Sequence, residues 1–245
     1  MNDEKKIQEV LKKHHGCIGA CDLYRPVMTV LIGSQNYDLA TPESDYDTCT
    51  FVLPTTKAMA TLAKPISTLS GSDEYGHINV KDIRLALNNL KKTSPNSVEC
   101  FASHYKYAEE GFQFLTDFPP IMFRCDTKNM MDSIGGMAEQ LKTRNMSHGK
   151  RLAHILRMHC MIGNYLDIKA DILKMNQLEH DLAMKAKLDP DNPDWDILSA
   201  EWERTIQEEI ETVDIHCYDD RVAYGLELIE GIQESCVKEA VNHRA

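Results

Sequence analysis

Val27-Met28-Thr29-Val30-Leu31-Ile32-Gly33-Ser34, followed after residues 35–44 by Asp45-Tyr46-Asp47, is the segment of the chain that sets its fold. The first six residues are apolar or β-branched and run into a glycine, which predicts a buried strand entering a tight turn. Glycine lets backbone approach a ligand closely. Free N–H groups and the Ser34 hydroxyl at such a turn can bind phosphate oxygens. Residues Asp47 to Leu53 read as a second strand, rich in Thr, Val, Phe and Cys and closed by Pro54. Strand side chains alternate, so Asp45 and Asp47 project from one face and can serve the same divalent ions. Hard cations such as Mg²⁺ prefer oxygen ligands. Phosphoryl and nucleotidyl transfer need the triphosphate neutralised and aligned by such ions.

Outward from this core, residues Asp3 to His15 predict a helix stopped by Gly16. Residues 35–44, with Thr41-Pro42, predict a loop or a short helix. Gly76 to Val80 predicts a third strand, and Lys81 to Lys92 a helix with Ile83, Ala86, Leu87 and Leu90 on one face. Pro95-Asn96 breaks that helix, and Val98 to Tyr107 resumes as helix or strand. From Lys128 onward strand signals vanish, and residues 128–143, 150–187, 198–213 and 219–241 carry helical patterns. The expectation is an α+β chain: an α/β domain over residues 1–122 and a helical C-terminal domain over residues 123–245, divided near Phe118-Pro119-Pro120.

The chain has 245 residues, 42% of them hydrophobic, and a formal charge of -11. That supports a packed core and argues against coating nucleic acid through a broad basic surface. The opening Met-Asn-Asp-Glu-Lys-Lys has no apolar run behind it, and no run approaches the ~20 residues that span a bilayer, so a cytoplasmic protein off the membrane is expected. The eight cysteines are scattered and read as reduced core residues. His14, His15, Cys17 and Cys21 raise the question of zinc, but no second pair has ligand spacing; a helix end with the cysteines packed behind it is the favoured reading.

The segment from Gly33-Ser34 through Tyr37, Thr41-Pro42 and Ser44 to Asp45-Tyr46-Asp47 resembles the signature of the DNA polymerase beta-like nucleotidyltransferase superfamily. More narrowly, it is similar to a branch of predicted nucleotidyltransferases from bacteria and their phages. Asp82-Ile83-Arg84, Ser94-Pro95, Val98-Glu99 and the set Lys150, His154 and Arg157 extend the likeness, which covers roughly residues 25–165. The resemblance implies a nucleotidyltransferase-type mixed sheet with flanking helices, binding of a nucleoside triphosphate (NTP) with Mg²⁺ or Mn²⁺, and transfer of a nucleotidyl group.

The superfamily adds a third carboxylate on a neighbouring strand, where it holds metal or activates the attacking hydroxyl. Here the apolar-flanked position is Asn79, an amide. Asp82 is the nearest acid; it reads either as the third catalytic carboxylate or as the cap of the helix that follows. Glu99 is a further candidate acid, with a helix-end or ion-pair role as its alternative. Lys150, His154 and Arg157 are spaced by four and three and share a helix face. Arg151, Lys142, Arg144 and His148 lie close by in sequence, making this the densest basic patch in an acidic chain. Lys150 and Arg157 are expected phosphate contacts, with His154 a hydrogen-bond donor or a structural residue.

The functional expectation is a Mg²⁺-dependent nucleotidyltransferase acting on a hydroxyl of RNA, protein or a small molecule. Asp45 and Asp47 hold metal, Asp82 completes the catalytic set, and Gly33, Ser34, Lys150, His154 and Arg157 bind nucleotide. Its rivals are a catalytically weak or inactive nucleotide-binding or regulatory module of the same fold, and an RNA-binding repair or end-modifying factor.

Overall fold

The computed structural model describes residues 3–18, 22–61, 63–167, 169, 171–214 and 219–242. It is an α+β protein: a five-stranded mixed sheet with flanking helices, continued by a helical C-terminal region. The strands are β1 (Tyr24–Leu31), β2 (Thr48–Pro54), β3 (Leu69–Ser72), β4 (His77–Asp82) and β5 (Lys106–Ala108), in the order β3-β4-β2-β1-β5. β1 and β2 are antiparallel, β2 and β4 parallel, and β3 and β5 pair antiparallel at the two edges. The central pair is buried along almost its whole length, threonines included, as strands covered on both faces are.

Helix α1 (Asp3–Ile18) covers one face of the sheet, burying Ile7 and Leu11 against Leu31. Its histidines are built into that contact. His14 Nδ1 lies 2.8 Å from Thr48 Oγ1 and Nε2 3.2 Å from Asp73 Oδ1. His15 Nδ1 lies 3.0 Å from Thr29 Oγ1 and Nε2 3.0 Å from Glu109 Oε2. Both rings are therefore committed to the sheet. Cys17 is exposed, Cys21 falls outside the described residues, and five of the other described cysteines are free and buried.

The opposite face carries α3 (Ile83–Lys91) and α4 (Pro95–Ala102), with α2 (Thr56–Ala60) at the end of β2. Pro95 opens α4 at its first turn, where the missing N–H costs nothing, so the chain breaks after α3 as expected and the proline also starts the next helix. β3 was not expected; four exposed residues reading Leu-Ser-Gly-Ser carry no apolar alternation.

The helical region comprises α5 (Thr127–Leu141), α6 (His148–Leu166), α7 (Gln177–Leu188), α8 (Asp194–Thr212) and α9 (Asp219–Asn242). The helical pattern over residues 150–187 resolves into two helices, with α6 ending at Leu166 and α7 capped by the Asn176 side chain. One continuous core takes in Phe51 and Phe101 from the sheet side and Leu152, Ile155 and Leu156 from α6, so buried packing crosses residue 122 without a break. Fully buried Arg124 fastens the join. Its guanidinium donates to the carbonyls of Pro120 (2.6 Å), Asn164 and Tyr165 (both 3.0 Å), satisfying the C-terminal end of α6 with a cation.

Candidate active site

The Gly-Ser turn forms because three interactions hold it. Ile32 N–H donates to Asp47 O at 2.9 Å, so pairing continues one step past β1. Gly33 then adopts φ 82, a conformation glycine takes at no steric cost. A 3₁₀ turn over Gly33–Tyr37 follows, tied down by Asn36 Nδ2 donating to Leu31 O (2.9 Å) and Ser103 Oγ donating to the same carbonyl (2.8 Å). Asp47 stands beside this turn. Its Oδ1 accepts from His77 N–H at 3.0 Å, and its Oδ2 lies 3.7 Å from where a Cβ on Gly33 would be. Asp45 is exposed two residues earlier.

Across from the turn runs the N-terminal half of α6. Gly33, Ser34, Asp45, Asp47, Lys150, His154 and Arg157 all line one cleft of about 490 Å³, with Glu99 on its wall. Three catalytic or metal candidates and five nucleotide-binding candidates were read from the chain; all but Asp82 meet here.

Asp82 is the correction. In the parallel β2/β4 register Thr48 faces Ile78 and Val52 faces Asp82, so Asp82 lies at the far end of the pair from Asp47. Five residues of strand separate its level from that of Asp47, roughly 16 Å at ~3.3 Å each. It is fully buried, caps α3 through Arg84 N–H (2.9 Å), and takes both Nε (2.9 Å) and Nη2 (2.6 Å) of Arg84. The capping reading holds, and both carboxylate oxygens are engaged by Arg84. Asn79 faces Cys49, which puts it on the same sheet face as Asp47. Its Oδ1 accepts from Ser70 at 2.7 Å.

Sequence reasoning missed Lys187. It reaches the cleft from α7 and donates to Ser34 Oγ (3.0 Å) and to the carbonyl of Leu39. Burial, then Arg157 and Lys150, push its ammonium below the ordinary lysine range. What lets α7 come so close is Gly149. A Cβ there would lie 1.9 Å from Ala186 O and 2.9 Å from Pro190 Cα, and its N–H donates to Pro190 O at 2.8 Å. No local pattern around residue 187 signals this, because the contact spans most of the chain.

The cleft is electrostatically divided. Asp45, Asp47, Lys150 and Lys187 line it together, yet among the described residues none is in an ion pair with a side chain of opposite charge. The exception is Glu99, whose Oε1 accepts both from Arg157 Nη2 (2.8 Å) and from Gly33 N–H (3.0 Å). Arg157 also lies over the Tyr37 ring, 4.2 Å from its centroid. His154 sits amid this charge: burial first, then Arg157, Lys150, Arg144 and Lys187, drive its pKa down to about 3, so the ring is neutral. Two other nearby cations are committed elsewhere, Arg151 to Asp196 (3.2 Å) and Lys142 to Glu139 (2.6 Å).

No group of three or more His, Cys, Asp or Glu side chains among the described residues is arranged to hold a metal. Two carboxylates on one wall are still the donor set Mg²⁺ uses when substrate phosphates and water supply the rest. Among the described residues, no helix is long and apolar enough to cross a membrane. Compared with the models of known protein families, the chain matches none, and no curated protein proves significantly similar to it.

Proposed function

We propose that this protein is a nucleotidyltransferase of the polymerase beta-like type, taking a Mg²⁺-bound NTP in the cleft and passing its nucleoside monophosphate to a hydroxyl acceptor. The observation that carries the reading is the division of that cleft: unpaired carboxylates Asp45 and Asp47 on the sheet side, unpaired Lys150 and Lys187 on the helix side. A metal–triphosphate complex is the ligand that complements both walls, its cation facing the carboxylates and its phosphates the lysines.

In this reading Asp45 and Asp47 hold the ion, which supplies charge neutralisation at the phosphates. Lys150, Lys187 and Arg157 bind phosphate oxygens, and Ser34 adds a hydroxyl at the turn. The acceptor oxygen bonds to the α-phosphorus, the bond from that phosphorus to the bridging α,β-oxygen breaks, and pyrophosphate leaves while the hydroxyl proton passes to solvent or a basic group. Neutral His154 donates or accepts one hydrogen bond there without adding charge. RNA, protein and small molecules remain acceptor classes of the proposal, and a cytoplasmic location belongs to it too.

Labelling separates this from its rival. With α-labelled NTP and Mg²⁺, the wild-type chain releases pyrophosphate, and the Asp45→Ala/Asp47→Ala variant loses at least ~100-fold, in the range of other lost electrostatic stabilisers. Equal labelling by both proteins overturns the assignment. The amide Asn79 where an acid was expected, with Asp82 locked to Arg84, favours the second reading, a nucleotide-binding module without turnover. Tight NTP binding with no pyrophosphate release identifies that case.

A further inference from the structure

A second, smaller cavity of about 210 Å³ adjoins the cleft and shares Glu99, His154 and Arg157 with it. Its floor is apolar and buried: Tyr37, Leu141, Met158 and Met161. Its rim is polar and exposed, with the amides of Asn96 and Gln140 and the guanidinium of Arg144. Arg157 Nε, in the wall common to both cavities, is a buried N–H with no hydrogen-bond acceptor. Such a donor is costly to leave unpaired, and an acceptor entering the cavity would satisfy it. Nothing in the nucleotidyl-transfer reading of the cleft uses this cavity.

We infer that the cavity is the seat of the nucleotide's base, a planar heteroaromatic ring held on the methionine and tyrosine floor and read at its edge by Asn96 and Gln140. This assignment rests on the NTP reading of the cleft and follows from the cavity's chemistry and size. Pockets for whole drug-sized ligands run to ~300–1,000 Å³, so this one suits a single ring system whose phosphates lie next door. Thioethers and a phenol ring make polarisable contacts with aromatic faces. An amide side chain offers one donor and one acceptor, which match the paired donor and acceptor on a base edge. The shared wall lets one molecule occupy both spaces, its acceptor atoms reaching the Arg157 donor.

Calorimetry on the full chain tests this with Mg²⁺ and inorganic tripolyphosphate on one side and Mg²⁺ with ATP, CTP, GTP or UTP on the other. At least one NTP is expected to bind roughly tenfold or more tighter than tripolyphosphate, the factor that ~1.4 kcal/mol represents. Met137→Trp, which fills the cavity from its half-exposed wall, removes that advantage and leaves tripolyphosphate affinity unchanged. Should that variant fold poorly, Gln140→Leu at the exposed rim changes the order of preference among the four bases. Equal affinity for tripolyphosphate and all four NTPs overturns the inference, as does an NTP advantage that survives both substitutions. Failure of every one of these ligands to bind is a different result: it removes the NTP reading of the cleft, and the base site falls with it.

Discussion

Two histidines on α6, five residues apart and so roughly 140° around the helix, are driven in opposite directions. His154 faces the cleft, where burial and four cations hold it neutral with a pKa of about 3. His159 faces α7 and α8, where burial opposes its charge but Glu179 and Glu209 prevail and raise it to about 9. Its Nδ1 meets Glu179, its Nε2 lies 3.2 Å from Glu209 Oε1, and Trp202 packs edge-on against the ring. Arg151 and His148, also turned toward α8, meet Asp196. One face of the helix is thus neutralised by the protein itself, and the other carries Lys150 beside Lys187 with no acid paired to either. Lys150 is exposed and Lys187 half-buried, and an anion from outside would offset the repulsion between them. The contrast separates cations that build the fold from cations that wait for a ligand.

Removing charge from each face in turn is the sharpest way to break that distinction. Lys150→Met/Lys187→Met is expected to weaken binding of Mg²⁺-tripolyphosphate by roughly 100-fold, at ~1.5 kcal/mol or more for each lost charge-assisted contact, with little change in melting temperature. Arg151→Met should do the reverse, leaving affinity intact and costing under ~1 kcal/mol of stability, because its partner Asp196 is half in water. If the two variants lose affinity alike, the faces are not different in kind.

Gly149 tests how the open face is assembled. Ala at this position would put a methyl 1.9 Å from a backbone oxygen of α7, a clash that only movement of the helix can relieve. Overpacking of that kind costs ~1–3 kcal/mol. Denaturant unfolding should show the loss, and tripolyphosphate affinity should fall about tenfold, matching removal of Lys187 alone. Retained affinity would mean that α7 does not deliver a working cation.

These contacts also mark what was legible in the chain. The strand, the Gly33-Ser34 turn and the Asp45/Asp47 pair could be read because each is local: a short apolar and β-branched run, a glycine at its end, and carboxylates two apart. The Lys150, His154 and Arg157 stripe was legible for the same reason, on helical period. Asp82 misled because local spacing cannot give register. Only the pairing of Val52 with Asp82 shows that the acid lies at the wrong end of β4, and the capping signal that competed for it was the correct one. Lys187 was invisible because its place depends on a helix packed through Gly149, and Glu99's grip on Gly33 N–H joins residues on two elements far apart in sequence. Local chemistry therefore identified one wall of the cleft and part of the other, and long-range packing supplied the rest.

Changes of pH should pull stability in opposite senses through the two histidines. His159 has a folded pKa above the unfolded value of ~6.5, so its contribution is complete below pH ~6.5 and is lost as pH rises through about 9. His154 has a folded pKa far below that reference, so the unfolded chain takes up the proton first, and stability falls as pH drops from ~6.5 toward about 3. Each limb is worth on the order of 2 kcal/mol, less than the full shift because partners relax. Urea midpoints measured from pH 4 to 10 should give a dome, and each side has its own eraser. Glu179→Gln/Glu209→Gln should flatten the alkaline limb and leave the acid one. His154→Gln should lessen the acid loss and leave the alkaline limb alone. A bound polyanion adds the decisive asymmetry: saturating tripolyphosphate lies beside His154, favours its protonated form, and should shallow the acid limb only. An equal effect of the anion on both limbs would show that the two faces of α6 share one field, and the division between scaffold and site would have to be abandoned.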